Sequence, residues 1–355
     1  MALNKLSDEA IELLQKLIST QSYSKEEDKT AEILSRFFSD REIKCQQFGN
    51  NVWAVNRCFD SNKPTVLLNS HHDTVKPNSG YTRDPFLPSI ENGVLYGLGS
   101  NDAGGCLVSL IAAFVHFYND ESLKYNFVIA CSAEEEISGK NGIAALLPLL
   151  PAIDFAIVGE PTEMNAAISE KGLMVLDCVA LGKSGHAARE EGINAIYAAI
   201  DDINWFKSAQ LERVSETLGP VKMSVTMVNS GTQHNVVPDR CEYVVDVRTT
   251  DAYSNQDLLE LIKKKVNSEV NARSTRLNPS SIEVNHPVVQ AAIELGATTY
   301  GSPTLSDQAL MTGFPSLKMG PGKSERSHTA DEFVLVEEIE EGVTKYIAIL
   351  EKVVR

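Results

Sequence analysis

Four short stretches of the chain gather imidazole and carboxylate side chains, and each lies at the end of an apolar run. Ser70-His71-His72-Asp73-Thr74-Val75 follows the run Thr65–Asn69. Tyr96-Gly97-Leu98-Gly99-Ser100-Asn101-Asp102-Ala103-Gly104-Gly105 leads into another. Ser132-Ala133-Glu134-Glu135-Glu136 and Gly159-Glu160-Pro161-Thr162 close two more. Imidazole with carboxylate is the mixed nitrogen and oxygen donor set of a zinc site, and cobalt and manganese accept the same set. Each stretch alone has an ordinary alternative. His71 can be a satisfied core histidine, Asp102 a helix cap, Glu134–Glu136 a solvated acidic run and Glu160 part of a turn. The alternatives fail jointly if the stretches meet, because several carboxylates in one pocket repel unless a cation sits among them.

Other chemistries lose support on the spacing. Gly97-Leu98-Gly99 begins like a dinucleotide fingerprint, but Asp102 occupies the third glycine position. Gly322-Lys323-Ser324 ends like a phosphate loop, whose first glycine would fall on Leu317. Gly182-Lys183-Ser184-Gly185 begins like a nucleophile elbow, whose last glycine is here His186.

The elements between the clusters must bring them together. An N-terminal helix carries Ile11, Leu13, Leu14, Leu17 and Ile18 on one face with Ser7 as its cap, and a second helix covers about Glu26–Phe38. Strands are expected at Asn51–Val55, Thr65–Asn69, Asn126–Ser132 and Phe155–Val158, with helices at Ala103–Tyr118 and Gly142–Leu147. Apolar strands alternating with helices argue for an α/β domain with a mostly parallel sheet, whose ligands bind beyond the carboxyl ends of the strands. All four clusters fall on that edge.

From about Lys171 the texture changes. A partly alternating strand at Met174–Ala180 is followed by a helix at Ile193–Lys207, strands at Met223–Val228 and Tyr243–Val247, and a helix at Asn255–Val270. That order approaches a small α+β unit of the split βαβ, ferredoxin-like type. After His286 the α/β pattern resumes and ends in an amphipathic helix, Val336–Val353. Residues 172–284 therefore read as a domain inserted into a larger one made of 1–171 and 285–355.

Composition agrees with this organisation. The 355 residues exceed one ordinary core, and 43% hydrophobic with 23% charged residues is a globular mix. Lys and Arg number 32 against 48 Asp and Glu, a formal net charge of -16, so nucleic acid and anionic membranes are poor partners. No run approaches the roughly 20 apolar residues of a membrane span. Asp8, Glu9 and Glu12 make the start unlike a secretory signal. Six scattered cysteines without a CxxC point to reduced thiols and a cytoplasmic location.

Together these residues resemble the two-zinc aminoacylase and carboxypeptidase family. The resemblance spans His71 to Glu332: HxDTV at 71–75, YGxGSxDxxGG at 96–105, EEE at 134–136, GEPT at 159–162, NVVP at 235–238, DVR at 246–248 and HTADE at 328–332. It implies two metal ions bridged by Asp102, with His71 and Glu160 completing one site and Glu136 and His328 the other. Asp73 would orient His71 through its second ring nitrogen. Glu135 would be the general base. The triple Glu also permits Glu134 as base with Glu135 as ligand; Glu-Glu-Ile-Ser-Gly resembles the family's Glu-Glu-Val-Gly-Gly, which favours the later pair. In the implied chemistry the metals lower the pKa of a bridging water to about 7, Glu135 takes its proton, and hydroxide attacks an amide carbonyl.

The resemblance extends to the inserted domain. His186 would reach a neighbouring subunit's site and steady the oxyanion, which implies a homodimer built through residues 172–284. Asn235 and Arg248 would hold the substrate's α-carboxylate, Arg by its bidentate fork, with a strand salt bridge as the alternative for Arg248. Gly322 would line the substrate site. The charged loop Gly320–Arg326 resembles the deacetylases of arginine and lysine synthesis more than the peptidases, while Ala187-Ala188-Arg189-Glu190 departs from the Ser-Ser-x-Pro that often follows the histidine. The expected reaction is hydrolysis of an N-acyl-amino acid, N-acetylornithine foremost. N-succinylornithine, N-acetylcitrulline, N-acetyllysine and dipeptides remain alternatives, as does a catalytically silent binding protein. A succinyl group would call for a further cation among Arg189, Lys323 and Arg326.

Overall fold

The apolar runs become strands buried along their whole length: Thr65–His71, Asn126–Ser132 and Phe155–Val158. A strand buried on both faces belongs in a sheet covered by helices on either side. Such a sheet forms the centre of the larger of two units in the computed structural model, which describes residues 3–189 and 191–355. This unit runs through Ile168 and resumes over Ser281–Tyr300 and Ser306–Arg355; the other takes in Ser169–Ser280 and Gly301–Leu305.

Across the larger unit's sheet the strands run Cys45–Phe48, Asn51–Val55, Asn126–Ser132, Thr65–His71, Phe155–Val158 and Ser316–Lys318. The last four pair in parallel, whereas Asn51–Val55 joins Asn126–Ser132 antiparallel. The fold class is thus α/β with a mostly parallel sheet. His71 lies opposite Ser132, and Val158 lies opposite both Asn69 and Lys318. This register puts His71, the Glu134–Glu136 run and Glu160 at one edge.

Helix Gly105–Phe117, apolar on nearly every face, packs against strand Thr65–His71 and helices Leu3–Ile18 and Val336–Val354. Those two helices bury only one stripe each: Leu6, Ala10, Leu13, Leu14 and Leu17 on the first; Ile339, Val343, Tyr346, Ile347 and Leu350 on the second. The first helix includes Leu3, so Ser7 is not its cap. Leu6 and Ala10 extend the apolar stripe a turn further back, and Ser7 is buried within it.

The smaller unit has strand Gly172–Leu181, helix Ala195–Ser208, strands Lys222–Ser230 and Arg240–Thr249, helix Asn255–Lys263 and strand Glu269–Ala272. Its antiparallel sheet runs in the order 222–230, 240–249, 172–181, 269–272, the split βαβ arrangement. Met174, Leu176, Cys178 and Ala180 alternate inward and meet Tyr243, Val245 and Val247 in a separate core. The spacing predicts a helix over Asn255–Val270; the helix ends at Lys263, and a fourth strand, Glu269–Ala272, follows. Buried Asp202 explains the difference. Its carboxylate accepts the backbone N–H groups of Asn267 and Ser268 and the Ser268 hydroxyl, drawing the chain out of helical geometry.

Candidate metal centre

Each carboxylate or imidazole at the sheet edge is placed by a local device. Strand Thr65–His71 ends on His71, whose Nδ1 lies 2.9 Å from the backbone oxygen of Asp73 and 3.5 Å from Asp73 Oδ1. Nδ1–H donates to that carbonyl, so Nε2 is the ring nitrogen that faces the cluster. It looks onto Asp102 Oδ1 at 3.3 Å and onto Glu135 Oε2 and Glu160 Oε1, both at 3.9 Å. The Asp73 carboxylate serves a second purpose beside that ring. It accepts the N–H groups of Glu135 and Glu136 and the Ser24 hydroxyl, thereby bracing the acidic run.

That run turns sharply at Glu134, which adopts a left-handed backbone with φ +55°. The turn divides the three carboxylates. Glu134 is directed at Asn141, from which its oxygens take the backbone N–H and the side-chain amide. Glu135 faces His71, and Glu136 Oε2 lies 2.9 Å from His328 Nε2. His328 itself has φ +60° and stands 3.5 Å from Asp102 Oδ2. Asp102 sits in an irregular turn, Ser100–Gly104, that enters helix Gly105–Phe117. His72 points away, between Thr30 Oγ1 and the Asn50 carbonyl, each at 2.9 Å; burial pushes its pKa down to about 4, so it is neutral.

Two overlapping groups can each hold a cation: His71, Asp102 and Glu136; and His71, Glu135 and Glu160, with donor atoms within 4.8 Å of one another in each. The protonation energetics agree. Burial pushes Glu160 up to about 8 and raises Glu135 and Glu136 as well. His71 moves well above its usual range despite its burial, because Asp102, Asp73, Glu135 and Glu160 surround it. The bond to Glu136 brings His328 up to about 9. Acids resist losing protons and bases resist giving them up, which is the response of a cluster short of positive charge. Divalent cations supply that charge, so the donor set fits them.

The other anticipated groups are described within their own units. Gly322 belongs to the larger unit; its φ is +84°, and a Cβ there would lie 2.4 Å from Asn101 Oδ1. His186, Asn235 and Arg248 belong to the smaller unit. His186 pairs with Val236 and is exposed, and its Nδ1 accepts the Ala188 N–H, leaving Nε2 as the donor. Asn235 is exposed and accepts the Ala187 N–H through its carbonyl. Arg248 forks onto Asp246 through Nε and Nη2.

Several supporting residues went unread in the sequence. Ser24 and Glu27 brace the acidic run from a distant loop: Glu27 accepts the Glu134 N–H, and Ser24 bonds Asp73. Buried Asp307 accepts from Ser132, and burial, partly offset by that bond, pushes it up to about 6. Glu332 lay within the noted HTADE stretch without a role.

Comparison with known proteins places the chain. Its residues 67–352 match Peptidase family M20/M25/M40. It is 27% identical to an acetylornithine deacetylase of Proteus mirabilis over 91% of both chains. It is 26% identical to succinyl-diaminopimelate desuccinylase 2 of a Ruegeria species over 72% of this chain and 68% of that protein. Its fold is similar to that of the YXEP protein of Bacillus subtilis, described as a dinuclear metal-binding peptidase, with a TM-score of 0.74, 18% identity and coverage of 99% and 98%. The match extends from strand Thr65–His71 into the final helix and takes in His71, Asp102, Glu135, Glu136, Glu160 and His328: the chain belongs to peptidase family M20/M25/M40.

Proposed function

We propose that this protein is a two-metal amidohydrolase that removes the acyl group from an N-acyl-amino acid, N-acetylornithine foremost. The observation that carries this reading is the meeting of two imidazoles and four carboxylates, from five separate segments, at one sheet edge. His71, Asp102 and Glu160 would hold one cation, and Asp102, Glu136 and His328 the other. Zinc, cobalt and manganese all suit the set. Two such ions would supply the positive charge that polarises an amide carbonyl and acidifies a water.

The chain's own groups perform the rest. Glu135 takes a proton from the attacking water and returns it to the leaving nitrogen. The orientation of Glu134 toward Asn141 supports Glu135 as base and Glu136 as ligand. Asp73 positions both through their backbone N–H groups as well as orienting His71 through its carbonyl. His186, with Nε2 as its donor, steadies the oxyanion in the site of a second copy, and Asn235 takes the α-carboxylate together with Arg248, which must release Asp246 to do so.

A small neutral acyl group is supported by the state of the cations proposed for a second carboxylate. Arg326 forks onto Glu338 at 2.6 and 3.0 Å, Lys323 lies 3.0 Å from Glu163, and Arg189, the third candidate, is exposed with Glu191 at 3.8 Å. Self-association through the smaller unit, residues 172–284 by the sequence boundaries, is supported by its exposed apolar side chains. Tyr197 and Ile200 lie on helix Ala195–Ser208, and Met227 and Val228 on an edge strand. Metal-reconstituted protein assayed against acetyl-, succinyl- and peptidyl-amino acids tests the function, with N-acetylornithine expected to turn over fastest. Equal rates on dipeptides would sink the deacetylase reading.

A further inference from the structure

Asp102 and His328 come from segments more than 200 residues apart, and two sets of hydrogen bonds tie those segments together in opposite directions. From the His328 side, the carboxylate of Glu332 reaches under the turn that carries Asp102. Its Oε1 accepts the backbone N–H of Asn101 at 2.8 Å and that of Asp102 at 2.9 Å, and its Oε2 accepts the N–H of Gly99 at 3.0 Å. From the Asp102 side, the Asn101 side chain reaches back to Lys323. Its Nδ2 donates to the Lys323 carbonyl at 3.0 Å, and its Oδ1 accepts the Lys323 N–H at 3.0 Å. Asn101 closes this ring as one more strand residue would. Glu332 is only 2% exposed, and its one carboxylate serves three consecutive-turn donors. A buried acid beside Asp102 is a costly choice for mere packing, since burial and the neighbouring charge both oppose its ionisation. An uncharged residue would serve if the turn needed only to be filled.

We propose that Glu332 and Asn101 form a reciprocal clasp that sets the distance between Asp102 and His328, and so act as positioning residues for the cation held between them. The inference rests on the two-metal reading and adds to it the device that fixes one site's geometry. Supports of this kind commonly change metal affinity about 10- to 100-fold when removed. Glu332 bonds to backbone N–H groups of the Asp102 turn and its charge also acts on His328 and Asp102, so Asn101→Ala, which changes no charge, separates position from charge. The Asn101 side chain acts on the same spacing from the opposite side; only the backbone N–H of Asn101 meets Glu332's carboxylate.

Calorimetric titration of the metal-stripped full-length chain with Zn2+, and separately with Co2+, tests the clasp. The wild-type chain should take up two equivalents. Glu332→Gln keeps the size but replaces one accepting oxygen by a donor, and should weaken the equivalent that His328 completes about 10- to 100-fold and the other, which shares Asp102, by less. Asn101→Ala should weaken the same equivalent and change the Co2+ absorption spectrum in the same sense; it decides the matter if the Glu332 variant does not fold. Wild-type constants and spectra in both variants would overturn the inference alone. Equal weakening of both equivalents, in step with a lower unfolding midpoint of the metal-free chain, would also overturn it, because that is general loss of stability. Fewer than two equivalents on the wild-type chain would overturn the two-metal reading and the clasp with it.

Discussion

At the scale of single residues, three adjacent glutamates of one type have three different surroundings. Glu134 is held by Asn141, Glu135 stands beside His71, and Glu136 meets His328. Their fates should separate in the same way. Glu135→Ala should bind both metals and lose about 10²- to 10⁴-fold in turnover, the usual share of a general acid–base, as read from kcat with metal content measured in parallel. Near-normal turnover in that variant would move the base to Glu134. His328→Ala should retain one metal per chain instead of two, because Glu136 and Asp102 lose their third partner; atomic absorption after gel filtration checks the count. The residue types at 71, 102, 135, 136, 160 and 328 were legible in the sequence because chemistry restricts them. Glu134's turn away was not, since its φ of +55° is imposed by distant groups: Glu27 and Asn141.

At the scale of elements, what the sequence revealed and what it hid follow from the range of the forces. Strand Thr65–His71 and helix Gly105–Phe117 were legible because burial on both faces demands an unbroken apolar run. The strand Glu269–Ala272 was hidden because Asp202, more than 60 residues away, ends the preceding helix. The loop at Gly320–Arg326 shows a third case. Gly322 was anticipated at the substrate site, yet its local surroundings already require a glycine: φ is +84°, and Asn101 leaves no room for a Cβ. Gly322→Ala should therefore cost about 1–3 kcal/mol by backbone strain, seen as a lower urea midpoint at unchanged slope. The pressure on Asn101 should also reduce turnover. Turnover at the wild-type level with the expected loss of stability would show that the loop bears strain without passing it to the site.

At the scale of the whole molecule, the fold draws negative charge together in a protein that already carries a formal net charge of -16. The consequence is a stability that depends on metal and pH together. In the metal-free chain, burial lifts Glu160 from an ordinary 4.5 to about 8, and Glu332 likewise to about 8. Each then holds a proton when folded that it has lost when unfolded, so stability falls as pH rises from about 4.5 to about 8. His328, bonded to Glu136, rises from 6.5 to about 9; its contribution is complete below 6.5 and is lost as pH climbs through 9. Asp73 and Asp102 are lowered instead, despite their burial, chiefly by His71, and their contributions change only in acid below the ordinary carboxylate range. Below pH 6.5 the lowered histidines His72, His116 and His286 work the other way, but in the window from about 6.5 to 9 the raised groups share one sign. The unfolding midpoint of the stripped protein should drop steadily across that window. Zn2+ at saturation takes the place of the protons, so it should raise the midpoint most at the alkaline end and flatten the slope. Thermal unfolding at five pH values, with and without Zn2+, measures both curves. Parallel slopes would mean that the cluster does not exchange protons for metal, and the electrostatic basis for placing two cations at this edge would fail.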